Sequence, residues 1–387
     1  MSVRTFENVA ICGYAELPVV KDTARPTRSL LGQAVAEALE DAGLPSAEVD
    51  GFALGSFTLP PDRPVNAAAT LGLDLRWLAP QEPGGASGIA ALLAAARAVE
   101  AGDAEVVVCA AADAMTTSAL QEMVLQFNTE TRDWLAPIGF AGPNGIFALL
   151  QARHMYEYST TRAQLGRVSV VQREHGSFNP SAMFREPVTM EEYLNSRKIV
   201  EPLHLLDCVH SGCGASALVV TTGERARSLD RPSVAVLGGA ERVNHRSDGG
   251  TLRFGWEAFA DDLYEAVETG PREFAAVEFY DDYPIMVCCQ FEELGFCEIG
   301  AGGRFLEETN LRFDGELPLN TGGGMLACGQ AGAAAGYIPL IEAARQLRGE
   351  AKGRQIREPH RVLVSGLGMV GYNRPLTTGA VVLGAGR

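Results

Sequence analysis

Gly84-Gly85-Ala86-Ser87-Gly88 runs into the alanine-rich stretch Ile89–Ala101 and then into the apolar Val106–Cys109. The same order recurs from Gly329-Gln330-Ala331-Gly332, through another alanine-rich stretch, to Val362–Val364. Each copy follows a helix-then-strand pattern: Leu30–Ala42 before Phe52–Leu54, and Trp256–Val267 before Val277–Tyr280. Self-similarity over this distance predicts an internally duplicated strand–helix architecture. Small residues at a helix start let a ligand approach its exposed N–H groups. Two such starts therefore predict where a site lies.

Outward from these units, Val9–Tyr14 reads as a first strand, and Ser29–Ala42 carries apolar residues at helical spacing up to a closing Gly43. Ala215–Thr221, Ser233–Gly238 and Gly379–Leu383 read as further strands. Apolar runs without strict alternation suit central strands covered on both faces. From about Met115 to Leu203 the periodicity changes, and this stretch has no counterpart in the second copy. An insertion of that size between strands is expected to cap a pocket. The expected organisation is α/β, with 1–114 and 204–228 as the N-terminal half, 115–203 as an inserted loop domain, and 229–387 as the C-terminal half.

Composition narrows the function. The 387 residues carry a net charge of −16, which argues against nucleic acid as a partner. Arg97 and Glu100 interrupt the best apolar run, so no membrane span is expected. The N-terminal Met-Ser-Val-Arg-Thr-Phe-Glu lacks the apolar core of an export signal. The eight cysteines contain no C-x-x-C pair, and Cys208 and Cys213 do not match a zinc spacing. They read as reduced thiols in the cytoplasm, with no metal site.

Six pieces in order resemble the thiolase superfamily, and within it the sterol-carrier-protein type of thiolase. They are Gly85-Ala-Ser-Gly88, His154-Met155 before Tyr-Glu-Tyr-Ser-Thr-Thr, Leu206-Asp-Cys-Val-His-Ser-Gly-Cys-Gly-Ala215, Asn320-Thr-Gly-Gly-Gly324, Gly329-Gln-Ala-Gly332 and Ser365-Gly-Leu-Gly368. The resemblance implies a thiolase fold, with two βαβαβαββ halves in a layered α-β-α-β-α arrangement. It also implies a homodimer acting on acyl-CoA thioesters, with coenzyme A as part of the substrate and no covalently bound cofactor. Relatives of this type work with a separate OB-fold/zinc-ribbon protein.

The catalytic signatures of the family are all altered. Its nucleophilic Cys is replaced by Gly85, or by Ala86 if the alignment slips by one. Its Asn-Glu-Ala-Phe segment is Tyr280-Asp-Asp-Tyr283, its Gly-His-Pro histidine is Gln330, and its second cysteine corresponds to Ser365 or Val364. An acyl-enzyme route lacks its nucleophile. The pattern resembles a branch that includes aldolases cleaving β-hydroxyacyl-CoA, which need a base and enolate donors but no covalent intermediate.

The expected catalytic set is Tyr280 and Asp281 or Asp282 for proton transfer, Gln330 as an oxyanion donor, and His154 as a pocket histidine. Substrate contacts are expected from Gly84, Gly85, Ala86 and Ser87, from His210, from Gly323, Gly324 and Cys328, and from Gly366. Each has a plainer reading beside this one. Tyr280 also fits a strand-end tyrosine with a wet hydroxyl, the aspartates a solvated turn, Gln330 a turn cap, and a lone histidine a satisfied structural group. Three functions stay open: a retro-aldol lyase, an acyltransferase with a substitute nucleophile such as Cys328, and a non-catalytic subunit that scaffolds a partner.

Overall fold

The strands that read as unbroken apolar runs are covered on both faces by helices, as their composition requires. A computed structural model describes residues 3–140, 142–246, 252–371 and 374–386. In the first half, β1 (Val9–Glu16) leads to α1 (Thr27–Ala42), β2 (Gly51–Gly55), β3 (Trp77–Gln81), α2 (Ser87–Ala101) and β4 (Val106–Ala114). Next come α3 (Thr117–Gln126), α4 (Pro143–Tyr158) and α5 (Arg162–Ser177), before β5 (Cys213–Thr222) returns to the sheet. The second half has β6 (Val234–Val243), α6 (Ala260–Ala266), β7 (Ala276–Glu278), α7 (Pro284–Glu293), α8 (Gly324–Cys328), α9 (Ile338–Leu347), β8 (Arg361–Val370) and β9 (Pro375–Ala385).

The sheet order β7-β8-β9-β6-β1-β5-β4-β2-β3 shows the duplication directly. Within each half, the second strand lies parallel to the one that follows the alanine-rich helix: β2 on β4, and β7 on β8. The next strand then turns back antiparallel, β5 on β4 and β9 on β8. Even β3, parallel to β2, has an echo in the parallel bridge between Val277 and Leu319. The halves join where β1 meets β6, through Ala10–Ala235 and Ile11–Val234.

Ala91, Leu92, Leu93, Ala95 and Ala96 of α2 are fully buried. This helix lies in the middle layer beside the turn that opens α9. A side chain at Gly88 would meet the carbonyl of Gly336 at 2.2 Å, and one at Gly336 would meet the carbonyl of Gly85 at 2.2 Å. Here the small residues serve close backbone approach of the two duplicated turns. That is a use the sequence pattern alone assigns to a ligand.

Trp256–Val267, expected as one helix, is a short turn at Trp256–Ala258 followed by α6. The buried Glu293 carboxylate accepts the N–H groups of Phe254, Gly255 and Trp256 and holds that turn apart from the helix. Between β4 and β5 the chain builds α3 to α5, whereas β8 and β9 are separated only by positions 371–374. α5 packs on α7 and α8 of the second half. No single helix among the described residues is long and apolar enough to cross a membrane.

Candidate active site

A cavity of about 520 Å³ opens where the duplicated turns, the inserted helices and the end of β8 meet. Gly84 and Gly85 from the first half, and Tyr280, Asp282 and Gln330 from the second, line one region of it, with His210. Most of the remaining wall is apolar: Leu120, Met123, Val124 and Phe127 from α3 or just beyond it, Phe147 from α4, Met286 from α7, and Leu367 and Met369 from β8, with Lys21, Thr117, Asn144 and Ser211 adding polar groups. A chamber of this kind suits a bulky hydrocarbon group attached to a polar reacting end.

At the polar end, Tyr280 follows the short β7, and its backbone carbonyl accepts the side-chain N–H of Gln290 at 2.8 Å. Ser365, which with Val364 is a candidate for the place of the family's second cysteine, donates its hydroxyl to that same Gln290, and neither residue lines the cavity. The phenol is therefore supported from behind. Its hydroxyl donates to Asp282 Oδ2 at 3.0 Å and accepts from Gln330 Nε2 at 3.3 Å. Gln330 is itself fixed, because its Oε1 accepts from Gly332 N at 3.0 Å and its backbone N–H donates to the His210 carbonyl at 2.9 Å.

Gly85 is one point of contact between the halves. A Cβ built there would lie 2.2 Å from Tyr280 Cζ and 2.3 Å from Tyr280 Oη. The Tyr280 ring thus occupies the space that any side chain at residue 85 would need. The phenol hydroxyl lies directly in front of the turn.

The electrostatics favour neutral forms. Burial, then the Asp282 charge, push the Tyr280 phenol well above its ordinary range. Burial also pushes Asp282 up to about 7, against the pull of the Tyr280 hydroxyl. Asp282 Oδ1 is buried and has no hydrogen-bond partner among the described residues. Asp282 Oδ2, which accepts the Tyr280 hydrogen bond, is thereby placed to receive that proton.

Other expected residues lie elsewhere. Asp281 points away from the cavity, and its two oxygens accept the N–H groups of Met325 at 2.8 Å and Leu326 at 3.1 Å at the start of α8. Burial raises it to about 8. A Cβ on Gly324 would strike that carboxylate at 2.3 Å, and one on Gly323 would strike Gly176 of α5 at 2.9 Å. These glycines make room for protein groups. Cys328 is buried, with its sulfur 3.4 Å from both Asn179 Nδ2 and the Gly322 carbonyl, and burial pushes its thiol well up. It does not line the cavity and is badly placed to replace a nucleophile.

His154 is fully buried between α4 and α7. Its ring nitrogens contact Thr160 Oγ1 at 2.9 Å and Glu292 Oε1 at 3.0 Å, with Cys288 Sγ 3.9 Å away. Both nitrogens are engaged, Glu292 also accepts from Gly302 N at 2.8 Å, and none of these side chains lines the cavity. This is a structural network. Ala86 and Ser87 are buried behind Gly85, and Gly366 packs against Ile89, leaving Gly368 as the glycine of that strand at the cavity.

Three contributors escape a reading of the sequence. Tyr283 stacks on Phe147 with ring centroids 4.7 Å apart, and its hydroxyl also donates to Asn144 Oδ1 at 2.5 Å within the cavity wall. Asn144 opens α4, and the changed periodicity of the insertion is the only signal for it. The third is Asp113 at the end of β4, whose lone acidic side chain in an apolar strand is the available clue.

The Thiolase C-terminal domain-like family matches residues 241–378. A "Steroid side-chain-cleaving aldolase" of Thermomonospora curvata is 33% identical over 98% of each chain. An "Acetyl-CoA acetyltransferase" of Methanothermobacter thermautotrophicus is 32% identical, over 90% of this chain and 93% of that one. The solved structure of an "Ltp2-ChsH2(DUF35) aldolase" superposes with a TM-score of 0.84 at 34% identity, covering 98% of both chains.

Proposed function

We propose that this chain, which belongs to the thiolase superfamily in its sterol-carrier-protein-like branch, is a CoA-dependent lyase that cleaves a bulky β-hydroxyacyl-CoA by a retro-aldol route. The observation that carries the reading is the exclusion at residue 85. The Tyr280 ring fills the place of a nucleophile, and its hydroxyl joins a carboxylate whose second oxygen is free.

The reaction follows from these groups. The substrate's β-hydroxyl gives its proton to Tyr280 Oη as the phenol passes its own proton to Asp282. The β-oxygen becomes the carbonyl of the released ketone or aldehyde as the Cα–Cβ bond breaks. The bond's electron pair moves onto the thioester oxygen, which the second side-chain N–H of Gln330 and backbone N–H groups near Gly85 stabilise. The proton then returns through Tyr280 to Cα, leaving a shortened acyl-CoA. No protein atom becomes acylated.

The apolar wall supports a bulky alicyclic or aromatic acyl group, in keeping with the name of the Thermomonospora relative. The pairing of the similar solved aldolase with a DUF35 protein supports a separate partner of the OB-fold/zinc-ribbon kind. We propose that it acts with a homodimer of this chain. The eight cysteines, all free, are consistent with a cytoplasmic setting.

The test is turnover of such a substrate, with and without that partner, in the native chain and in Tyr280→Phe. Release of the carbonyl product by the native chain is expected, with loss of release and retained ester binding in the variant. A native chain that gains the mass of an acetyl group from acetyl-CoA would point to an acyltransferase. A native chain inert under all conditions would point to a scaffold.

A further inference from the structure

We infer that Asp113 is a positioning residue that ties the two halves together and aims Gln330 at Tyr280. This inference rests on the proposed role of Gln330 as donor to the thioester oxygen. Asp113 ends β4 and is fully buried. Its Oδ1 accepts from Ser56 Oγ at 3.0 Å, Phe57 N at 2.8 Å, Thr58 N at 2.8 Å and Thr58 Oγ1 at 2.9 Å. Its Oδ2 accepts from Ala333 N at 2.7 Å. One carboxylate thus holds a first-half loop, whose Phe57 lines the cavity, and the second-half turn that follows Gln330.

The coupling to Gln330 passes through Gly332. This residue has φ of +57°, and a Cβ on it would lie 2.2 Å from Asp113 Oδ2. The carboxylate therefore packs directly onto the turn. The Gly332 N–H donates to Gln330 Oε1 at 3.0 Å, which orients the amide so that Nε2 faces Tyr280 Oη. Asparagine in place of Asp113 has one acceptor oxygen. Its NH₂ group must oppose either the Oδ1 donors or Ala333 N–H, so one loop is released.

The experiment is a double-mutant cycle on kcat and KM with the proposed β-hydroxyacyl-CoA, using Asp113→Asn, Gln330→Ala and the double variant. Loss of an aimed oxyanion donor lowers kcat about 100-fold in Gln330→Ala. The expectation for Asp113→Asn is a fall of about 30-fold in kcat with KM nearly unchanged, and a further fall of less than about threefold once Gln330 is gone. If Asp113→Asn does not fold, Gly332→Ala displaces the same turn and is held to the same non-additive result. Full additivity with an impaired Gln330→Ala, or a rise in KM alone, would overturn the inference and leave the lyase reading standing. Unchanged turnover in Gln330→Ala would overturn both this inference and the donor role proposed for Gln330.

Discussion

Gly85→Ala adds one methyl group and tests the site at its tightest point. The backbone there is not in the left-handed region, so alanine is permitted by conformation and the effect is one of space. The new Cβ would sit 2.2 Å from Tyr280 Cζ, 2.4 Å from Cε2 and 2.3 Å from Oη. An ordinary contact needs about 3.5 Å, so the ring must retreat by roughly 1.3 Å. The hydrogen bonds to Asp282 and Gln330 begin at 3.0 and 3.3 Å, and a shift of that size breaks both. A misplacement near 1 Å costs about 100-fold in rate, close to 3 kcal/mol of barrier. The overpacking itself should lower stability by about 1–3 kcal/mol. Steady-state release of carbonyl product, paired with a thermal melt, measures both effects. In a Tyr280→Phe background the same alanine should change kcat little further. A Gly85→Ala enzyme turning over within threefold of the native chain would refute the claim that the Tyr280 hydroxyl must occupy this spot.

Three other outcomes follow from the same geometry. Asp282 must be unprotonated to accept a proton and is raised to about 7, so kcat/KM should climb as pH passes upward through about 7. Asp282→Asn should lose about 100-fold and that pH limb, and a matching profile in both proteins would remove Asp282 from the reaction. Asp281→Ala should leave two α8 N–H groups unmet and lower stability by about 1–2 kcal/mol on thermal melting, with a far smaller effect on kcat than Asp282→Asn. Met123→Trp should shrink the apolar chamber and reduce kcat/KM for bulky acyl groups by at least about tenfold relative to short ones. Equal losses across a series of acyl lengths would place the acyl group elsewhere.

The architecture is legible in the sequence because duplication repeats a local pattern. A glycine-rich turn, an alanine-rich helix and an apolar strand can each be read within about twenty residues. Gly85, Tyr280 and Gln330 are legible together because family motifs mark all three. Asp281 and Asp282 are not separable in sequence, because neighbouring residues leave a strand end in opposite directions, one toward α8 and one toward the cavity. His154 and Cys328 mislead for a different reason. Each has one near partner, but the other lies 138 residues away at Glu292 or 149 away at Asn179, and no local pattern reports such packing. Asp113 stands out in sequence only as the lone acidic residue of an apolar strand, because its five donors come from two distant loops.

The overlap between residue 85 and the Tyr280 ring also constrains how such enzymes can change over evolutionary time. A side chain at residue 85 and this phenol in its present position compete for the same volume. A substitution at either position therefore changes the room available to the other, which couples positions 85 and 280 in any later exchange of chemistry.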